Sequence, residues 1–234
     1  MTEARARDVL ARNGAIERRE RRTLILVLSL AVPLAAVVFV CLPNVRTFTI
    51  TGGSMAPTLP VGSQVVVWRA SYGYSRYSFD GFELPIDGRW PAWAPKRGDM
   101  IAFRLPRNRK FYYIKRVVGL PGDRIQMIDG RLSIDGAIVP REPGPKLPEP
   151  SSGWRVETYV ERLPDGASYS IMEARGDWSD FDNTPEFLVP PGHLFVLGDN
   201  RDNSIDSREQ SRGMGVGFVP VELVIGRVIL TLKP

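Results

Sequence analysis

From Thr23 to Val45 the chain carries no charged side chain. The centre of this run reads LILVLSLAVPLAAVVFVCL. As a helix it is long enough to cross a hydrocarbon layer of roughly 30 Å. Pro33 is tolerated there, because the freed backbone groups can be satisfied locally. Arg18, Arg19, Arg21 and Arg22 stand directly before the run and only Arg46 stands close behind it. The positive-inside rule therefore puts the N-terminus in the cytoplasm and everything beyond Val45 on the far side. A cleaved signal peptide has a shorter apolar stretch followed by small residues. A lipoprotein site has small residues before its cysteine, whereas Val40 precedes Cys41. The expectation is a basic cytoplasmic tail over residues 1–22 and an uncleaved, single-pass transmembrane anchor over 23–45, embedded in the lipid bilayer.

The formal net charge of +5 is uneven. Residues 1–22 hold seven Arg against four acids, which is +3 of the total. The rest is nearly neutral, so the clustered basic face that nucleic acid requires is missing and no nucleic-acid partner is expected. One histidine, His193, excludes zinc patterns that need two imidazoles. One cysteine allows no intramolecular disulfide.

Beyond the anchor, short Val- and Ile-rich runs alternate with Gly, Pro and Asp, which reads as mainly β structure. Strands are expected at 48–51, 63–68, 100–104, 112–118, 124–128, 132–134, 156–163, 168–173, 194–197 and 223–232. Asp129-Gly130 and Pro164-Asp165-Gly166 read as hairpin turns. Residues 140–153, with five prolines, read as an irregular surface loop. Residues 71–93 are rich in aromatics. They either pack their rings on the domain or meet a membrane interface, where Trp and Tyr are favoured.

Three segments place unusual residues where a core would not. In ITGGSMAPTLPVGSQVVV, residues 50–67, Ser54 follows two glycines at the end of a strand. That is either an ordinary Gly-Ser turn or an exposed nucleophile whose own amide faces an oxyanion. In FYYIKRVVGLPGDRI, residues 111–125, Lys115 sits inside a strand. Alternation puts Lys115 with Tyr113 and Val117 on one face, and Arg116 with Ile114 and Val118 on the other, so one of the two basic residues can face the interior. A snorkelling lysine is the bland reading. A buried lysine loses its charge by desolvation and becomes a base. In VLGDNRDNSIDSREQSRG, residues 196–213, three Asp and two Asn are interleaved with Arg. The spacing does not fit an EF-hand, because Arg201 and Ser204 fall where an oxygen ligand and a glycine belong. A solvated polar loop, or a loop self-braced by Asp–Arg pairs, remains. His193 opens a strand in PPGHLFVL and reads as structural, so lysine is the better partner for a serine nucleophile.

Taken together and in this order, the three segments resemble type I signal peptidase, the bacterial leader peptidase family. The likeness covers the anchor and most of residues 45–232. GSMAPTL carries over Ser54 as nucleophile, with Met55 beside it. IKRVVGLPGD carries over Lys115 as general base and selects it over Arg116. In GDNRDNSIDSR, Ser204 corresponds to a hydroxyl that hydrogen-bonds the base lysine, and Asp206 and Arg208 to a supporting ion pair. RGDMIAF and GFVP also fit. The resemblance implies an antiparallel β catalytic domain, here 46–122 and 192–234, with a second β region inserted at 123–191. It implies a substrate laid along an exposed strand edge. Phe48, Ile50, Leu59, Tyr113 and Ile114 would line shallow pockets for small residues before the cut.

The implied activity is a membrane-bound serine endopeptidase that removes N-terminal signal peptides from exported preproteins, after small residues. Its site would lie on the outer face of the bacterial inner membrane, with the protein translocation machinery as an expected neighbour. No metal or cofactor is implied. One departure is Gly52, where many members carry a serine that helps bind the oxyanion. Two rivals are a conjugation-type pilin peptidase and an inactive membrane-anchored binding module of the same fold. The second would be marked by loss of Ser54 or Lys115, and both are present.

Overall fold

A computed structural model of the chain describes residues 21, 25–32, 44–147, 156–174, 180–210 and 215–232. It divides into two compact units, Met1–Asn44 and Val45–Pro234. In the first, residues 25–32 are helical, with Ile25, Leu26, Val27, Leu28, Leu30 and Val32 exposed. The rest of the expected anchor, apart from its last residues, lies outside the described residues. Among those described, no helix is long and apolar enough to cross a membrane.

The second unit is mainly antiparallel β. Its strands are β1 (Val45–Thr49), β2 (Gln64–Trp68), β3 (Tyr74–Ser75), β4 (Arg89–Trp90), β5 (Met100–Leu105), β6 (Asn108–Gly119), β7 (Arg124–Ile128) and β8 (Arg131–Ile134). They continue with β9 (Ala137–Ile138), β10 (Arg141–Pro143), β11 (Glu157–Arg162), β12 (Ser168–Glu173), β13 (Phe187–Leu188), β14 (His193–Leu197), β15 (Val219–Pro220) and β16 (Val224–Leu232). A seven-stranded sheet runs β1-β2-β16-β5-β6-β14-β15. The strands from β7 to β13 make a four-stranded sheet, β13-β7-β8-β9, and a three-stranded sheet, β10-β11-β12.

Period-two burial explains most of these strands. In β2, Val65 and Val67 point inward while Gln64 is exposed. Asp129 and Gly130 both have positive φ, 47° and 70°, as the tight β7–β8 hairpin requires. Gly166, with φ 85°, turns β11 into β12. Two expectations need correction. Arg141–Pro143 is not irregular loop but a strand on β11. It lies at a sheet edge, where a proline is tolerated. Of Lys115 and Arg116, both are buried rather than one. The end of β6, from Lys115 to Gly119, lies inside the large sheet with both faces covered, and Arg116 is neutralised by Asp199 at 2.6 Å and stacks on Tyr169.

Three apolar clusters fill the unit. One, with Ile50, Met55, Leu59, Val65, Val67, Ala102 and Ile225, lies beneath the Ser54 turn. A second, with Ile101, Phe103, Val117 and Val196, packs elsewhere on the large sheet. The third joins β7, β8 and β12 to Phe195 and Leu197 of β14. In the 71–93 stretch, Tyr72 is buried and donates its hydroxyl to Asp99, and Phe79 stacks between Tyr74 and Phe82. Arg89 donates to the carbonyls of Tyr72, Gly73, Val221 and Val224, which fastens the stretch to the sheet. Trp90 and Trp93 stay exposed.

Between β11 and the loop after β14, Arg201 and Glu161 pair with side chains that are each only 1% exposed. Removing one partner of such a pair strands a buried charge, at a cost of about 3–5 kcal/mol. Glu161→Gln should therefore lower unfolding free energy by about that much in urea denaturation. Arg124→Ala breaks the exposed pair with Glu186 and should cost less than ~1 kcal/mol.

Candidate active site

Ser54 sits in a single 3₁₀ turn, Gly53–Met55, directly after the extended Gly52. The turn is anchored from below by Met55, which is buried in the core with Leu59. From above it is held by the loop that follows β14. Asn200 donates its backbone N–H to the Ser54 carbonyl and its side-chain amide to the Gly53 carbonyl, both at 3.1 Å. Short polar residues at fixed offsets let this loop bond to backbone on both sides.

Lys115 Nζ lies 2.5 Å from Ser54 Oγ. The lysine is 2% exposed. Burial drives its pKa down from 10.5 to about 8. Attraction to Asp206 and Asp199 works against that fall and repulsion from Arg208 adds to it. Asp206 is itself engaged. It accepts from Arg208 at 2.9 and 3.0 Å and from the Gly198 N–H at 3.1 Å. Burial opposes its charge, but Arg208 outweighs burial and holds its pKa below the usual carboxylate value. The loop's bracing is only partly internal. Arg208–Asp206 is a pair within it, while Asp199 binds Arg116 and Arg201 binds Glu161 on other strands.

A cleft of about 540 Å³ opens over this pair. Of the residues expected around it, Phe48, Ile50, Ser54, Met55, Tyr113, Ile114, Lys115 and Ser204 line it. Leu59 does not. It is fully buried in the cluster beneath the turn and supports the floor instead of facing substrate. Asp206 and Arg208 lie behind the lining, fully buried. The Ser204 hydroxyl is buried and without a hydrogen-bond partner, so its expected bond to Lys115 is not formed in this structure. His193 does not line the cleft, and its Nδ1 is 2.9 Å from the Pro191 carbonyl.

Sequence reasoning missed Tyr112, Phe181, Asp202, Asn203 and Ile205, which also line the cleft. Tyr112 had a legible signal, since it neighbours the lysine on one strand. Phe181 is distant in sequence and reaches the cleft only through the fold. The cleft also exposes backbone. β1 is a sheet edge, and β14 pairs only with Arg116, Val117 and Gly119 of β6, which leaves one side of 108–115 open to an added strand.

The site therefore sets a serine hydroxyl against a buried lysine in a cleft with open strand edges. A family model described as signal peptidase, peptidase S26, matches residues 21–232. The chain is 40% identical over 188 residues to signal peptidase I of Rickettsia typhi, covering 77% of this chain and 69% of that one. It is also 40% identical over 188 residues to signal peptidase I of Rickettsia canadensis, covering 77% and 68%. A crystal structure of signal peptidase I from Enterococcus faecalis is 28% identical and covers 58% of this chain and 98% of that one, with a TM-score of 0.34. The assignment therefore rests on the sequence matches. The chain belongs to the signal peptidase S26 family, and it is a serine peptidase of the signal peptidase I kind.

At Gly198 the loop presses close to the Ser54 turn. A Cβ there would stand 2.2 Å from Ser204 Oγ and 2.5 Å from the Ser54 carbonyl oxygen. Gly198→Ala should push the Ser54 turn out of place. A misplacement of about 1 Å costs on the order of a hundredfold in rate. Single-turnover peptide cleavage, with thermal unfolding run alongside, should show that loss in kcat.

Proposed function

We propose that the chain is a membrane-bound endopeptidase that cuts signal peptides from exported preproteins after small residues, with Ser54 as nucleophile and Lys115 as general base. The observation that carries this reading is the 2.5 Å approach of Lys115 Nζ to Ser54 Oγ in a buried setting that lowers the lysine's pKa to about 8. A neutral amine accepts the hydroxyl proton as Oγ attacks the scissile carbonyl carbon. The C–O π pair moves onto oxygen. The ammonium then gives its proton to the departing amine as the C–N bond breaks, leaving an acyl-enzyme. Lys115 next deprotonates a water, which attacks the ester and frees Ser54.

Esterified Oγ no longer carries a proton, so Lys115 then loses the partner that orients it. The buried, unpartnered Ser204 hydroxyl is the group that takes over this task. Asp206 and Arg208 hold the loop that presents it. The substrate runs extended between the open edges of β1 and β6. Phe48, Ile50, Tyr113 and Ile114 shape the space for its small side chains.

Residues 123–191 form the inserted region in this reading, and 23–45 the anchor. With the N-terminus cytoplasmic, the anchor holds the site at the outer face of the inner membrane. There the preprotein's own apolar segment delivers the cut site, and tethering both partners to one bilayer raises their effective concentration. The translocation machinery supplies the preprotein.

Catalysis needs the neutral amine, so the lowered pKa sets a pH dependence. Below about pH 8 the rate constant kcat/KM should fall about tenfold per pH unit, and above it should level off. A stopped pH series on a preprotein peptide measures this. A kcat/KM that stays flat on both sides of this pH would rule out Lys115 as the base. Ser54→Ala, Lys115→Ala and Lys115→Arg should each abolish turnover, because the two groups act as one unit and a guanidinium stays protonated. His193→Ala should remain active.

A further inference from the structure

The reaction above needs at least two donors for the oxygen on which negative charge builds, and the nucleophile turn supplies one. The Ser54 N–H stands at the start of a 3₁₀ turn, where backbone donors have no partner within the turn. Position 52 contributes no side chain. Gly52 has φ −119°, and a Cβ on it would meet nothing within 4 Å. The space beside the turn is therefore open, and the backbone there suits any residue.

Asn203 comes near the turn at the next residue, Gly53. A Cβ placed on Gly53 would stand 3.7 Å from Asn203 Nδ2. The carboxamide thus lies beside the residue that precedes Ser54. Gly52, Gly53, Ser54 and Asn203 line one cleft. The backbone that carries Asn203 is fixed to the same turn, since its N–H donates to the Asn200 carbonyl at 3.2 Å while Asn200 bonds Gly53 and Ser54. Among the described residues the Asn203 carboxamide makes no hydrogen bond with the protein. Asn203 is exposed on the cleft wall and its amide donors are unspent, so they can be given to a developing oxyanion.

We infer that Asn203 Nδ2 is the second oxyanion donor, occupying in space the role that a hydroxyl at position 52 would fill. The inference rests on Ser54 being the nucleophile. As Oγ bonds to the scissile carbon, the carbonyl oxygen gains the electron pair and accepts from the Ser54 N–H and from Asn203 Nδ2. The bond strengthens as charge develops, so it acts on kcat more than on KM.

The test uses the full chain in detergent, a synthetic preprotein peptide, and a peptide aldehyde that forms a tetrahedral adduct with an active serine. Asn203→Ala and Asn203→Asp should lower kcat on the order of a hundredfold or more, with KM changed less than about threefold and thermal unfolding unchanged. Aldehyde affinity should fall in parallel with kcat, while affinity for the cleaved product peptide stays the same. Introducing Gly52→Ser into Asn203→Ala should recover much of the loss, and should help that variant more than it helps the wild type. An Asn203→Ala enzyme within threefold of wild-type kcat would overturn the assignment. So would a loss confined to KM, or an equal effect of Gly52→Ser in both backgrounds. If Ser54→Ala retains turnover, the nucleophile assignment itself fails. With Ser54→Ala dead and Asn203→Ala active, only the donor assignment fails.

Discussion

Keeping a lysine dry without giving it a carboxylate of its own is the constraint around which this unit is organised. An ammonium taken out of water loses its charge unless a negative partner compensates for the lost hydration. Here Lys115 is 2% exposed and its close partner is a neutral hydroxyl. The result is an amine whose pKa is lowered to about 8, which suits it to the proposed role of base. Strand β6 makes this placement possible. It is twelve residues long, and β5 pairs along it on one side. Its neighbour β14 reaches only the last residues, so the strand is firmly held where Lys115 leaves it and open where a substrate would add.

Ser54, the proposed nucleophile, is fixed by a different means. A 3₁₀ turn of three residues has little stability by itself. Its position comes from Met55 sunk into the core below and from Asn200 bonded to two of its carbonyls above. Residues on separate elements thus meet without either one being on a mobile tip, which is how a reacting pair is held to the tolerance that catalysis requires. The loop carrying Asn200 is in turn joined to the β10-β11-β12 sheet. Met172 donates its N–H to the Asp199 carbonyl, Ala174 donates to Asp202, and Arg201 pairs with Glu161. Residues far from the chemistry therefore bear on its geometry.

Most of the longer strands were legible because their side chains alternate and their ends carry Gly, Pro or Asp. β7 and β12 have the bounds that their patterns predict. The two-residue strands β3, β4, β9, β13 and β15 were not legible, since two residues hold no period and exist only where a partner strand passes. Ser54 and Lys115 stood out in the sequence through their glycines and their strand setting, but each alone had a bland alternative. Burial of Arg116 beside Lys115 could not be read from alternation, because it depends on Asp199, 83 residues away. Leu59 shows the opposite error. The family resemblance implied a pocket residue, whereas the chain turns it under the floor. Asn203 carried no signal beyond belonging to a polar run, and its closeness to Gly53 arises only from folding.

The polar run after β14 poses an electrostatic problem that its arginines solve. It brings Asp199 and Asp206 close enough to Lys115 for both to favour the charged lysine. Left free, either carboxylate would raise the lysine's pKa further. Each is instead engaged by a buried guanidinium. Asp199 takes two bonds from Arg116, at 2.8 and 2.6 Å, and Asp206 takes two from Arg208. The planar fork of arginine satisfies both carboxylate oxygens and stays charged when buried, which a lysine at these positions would not do. Arg208 also acts on Lys115 directly, since its positive charge lowers the amine's pKa. Each pair thus leaves its carboxylate free to bond backbone or a neighbouring hydroxyl, as Asp206 does with Gly198 and Asp199 with Thr58, without offering the catalytic amine a counter-ion. Buried ion pairs are poor sources of net stability. Their use here is consistent with a different benefit: a rigid polar scaffold that is close to neutral beside a base that must also be neutral.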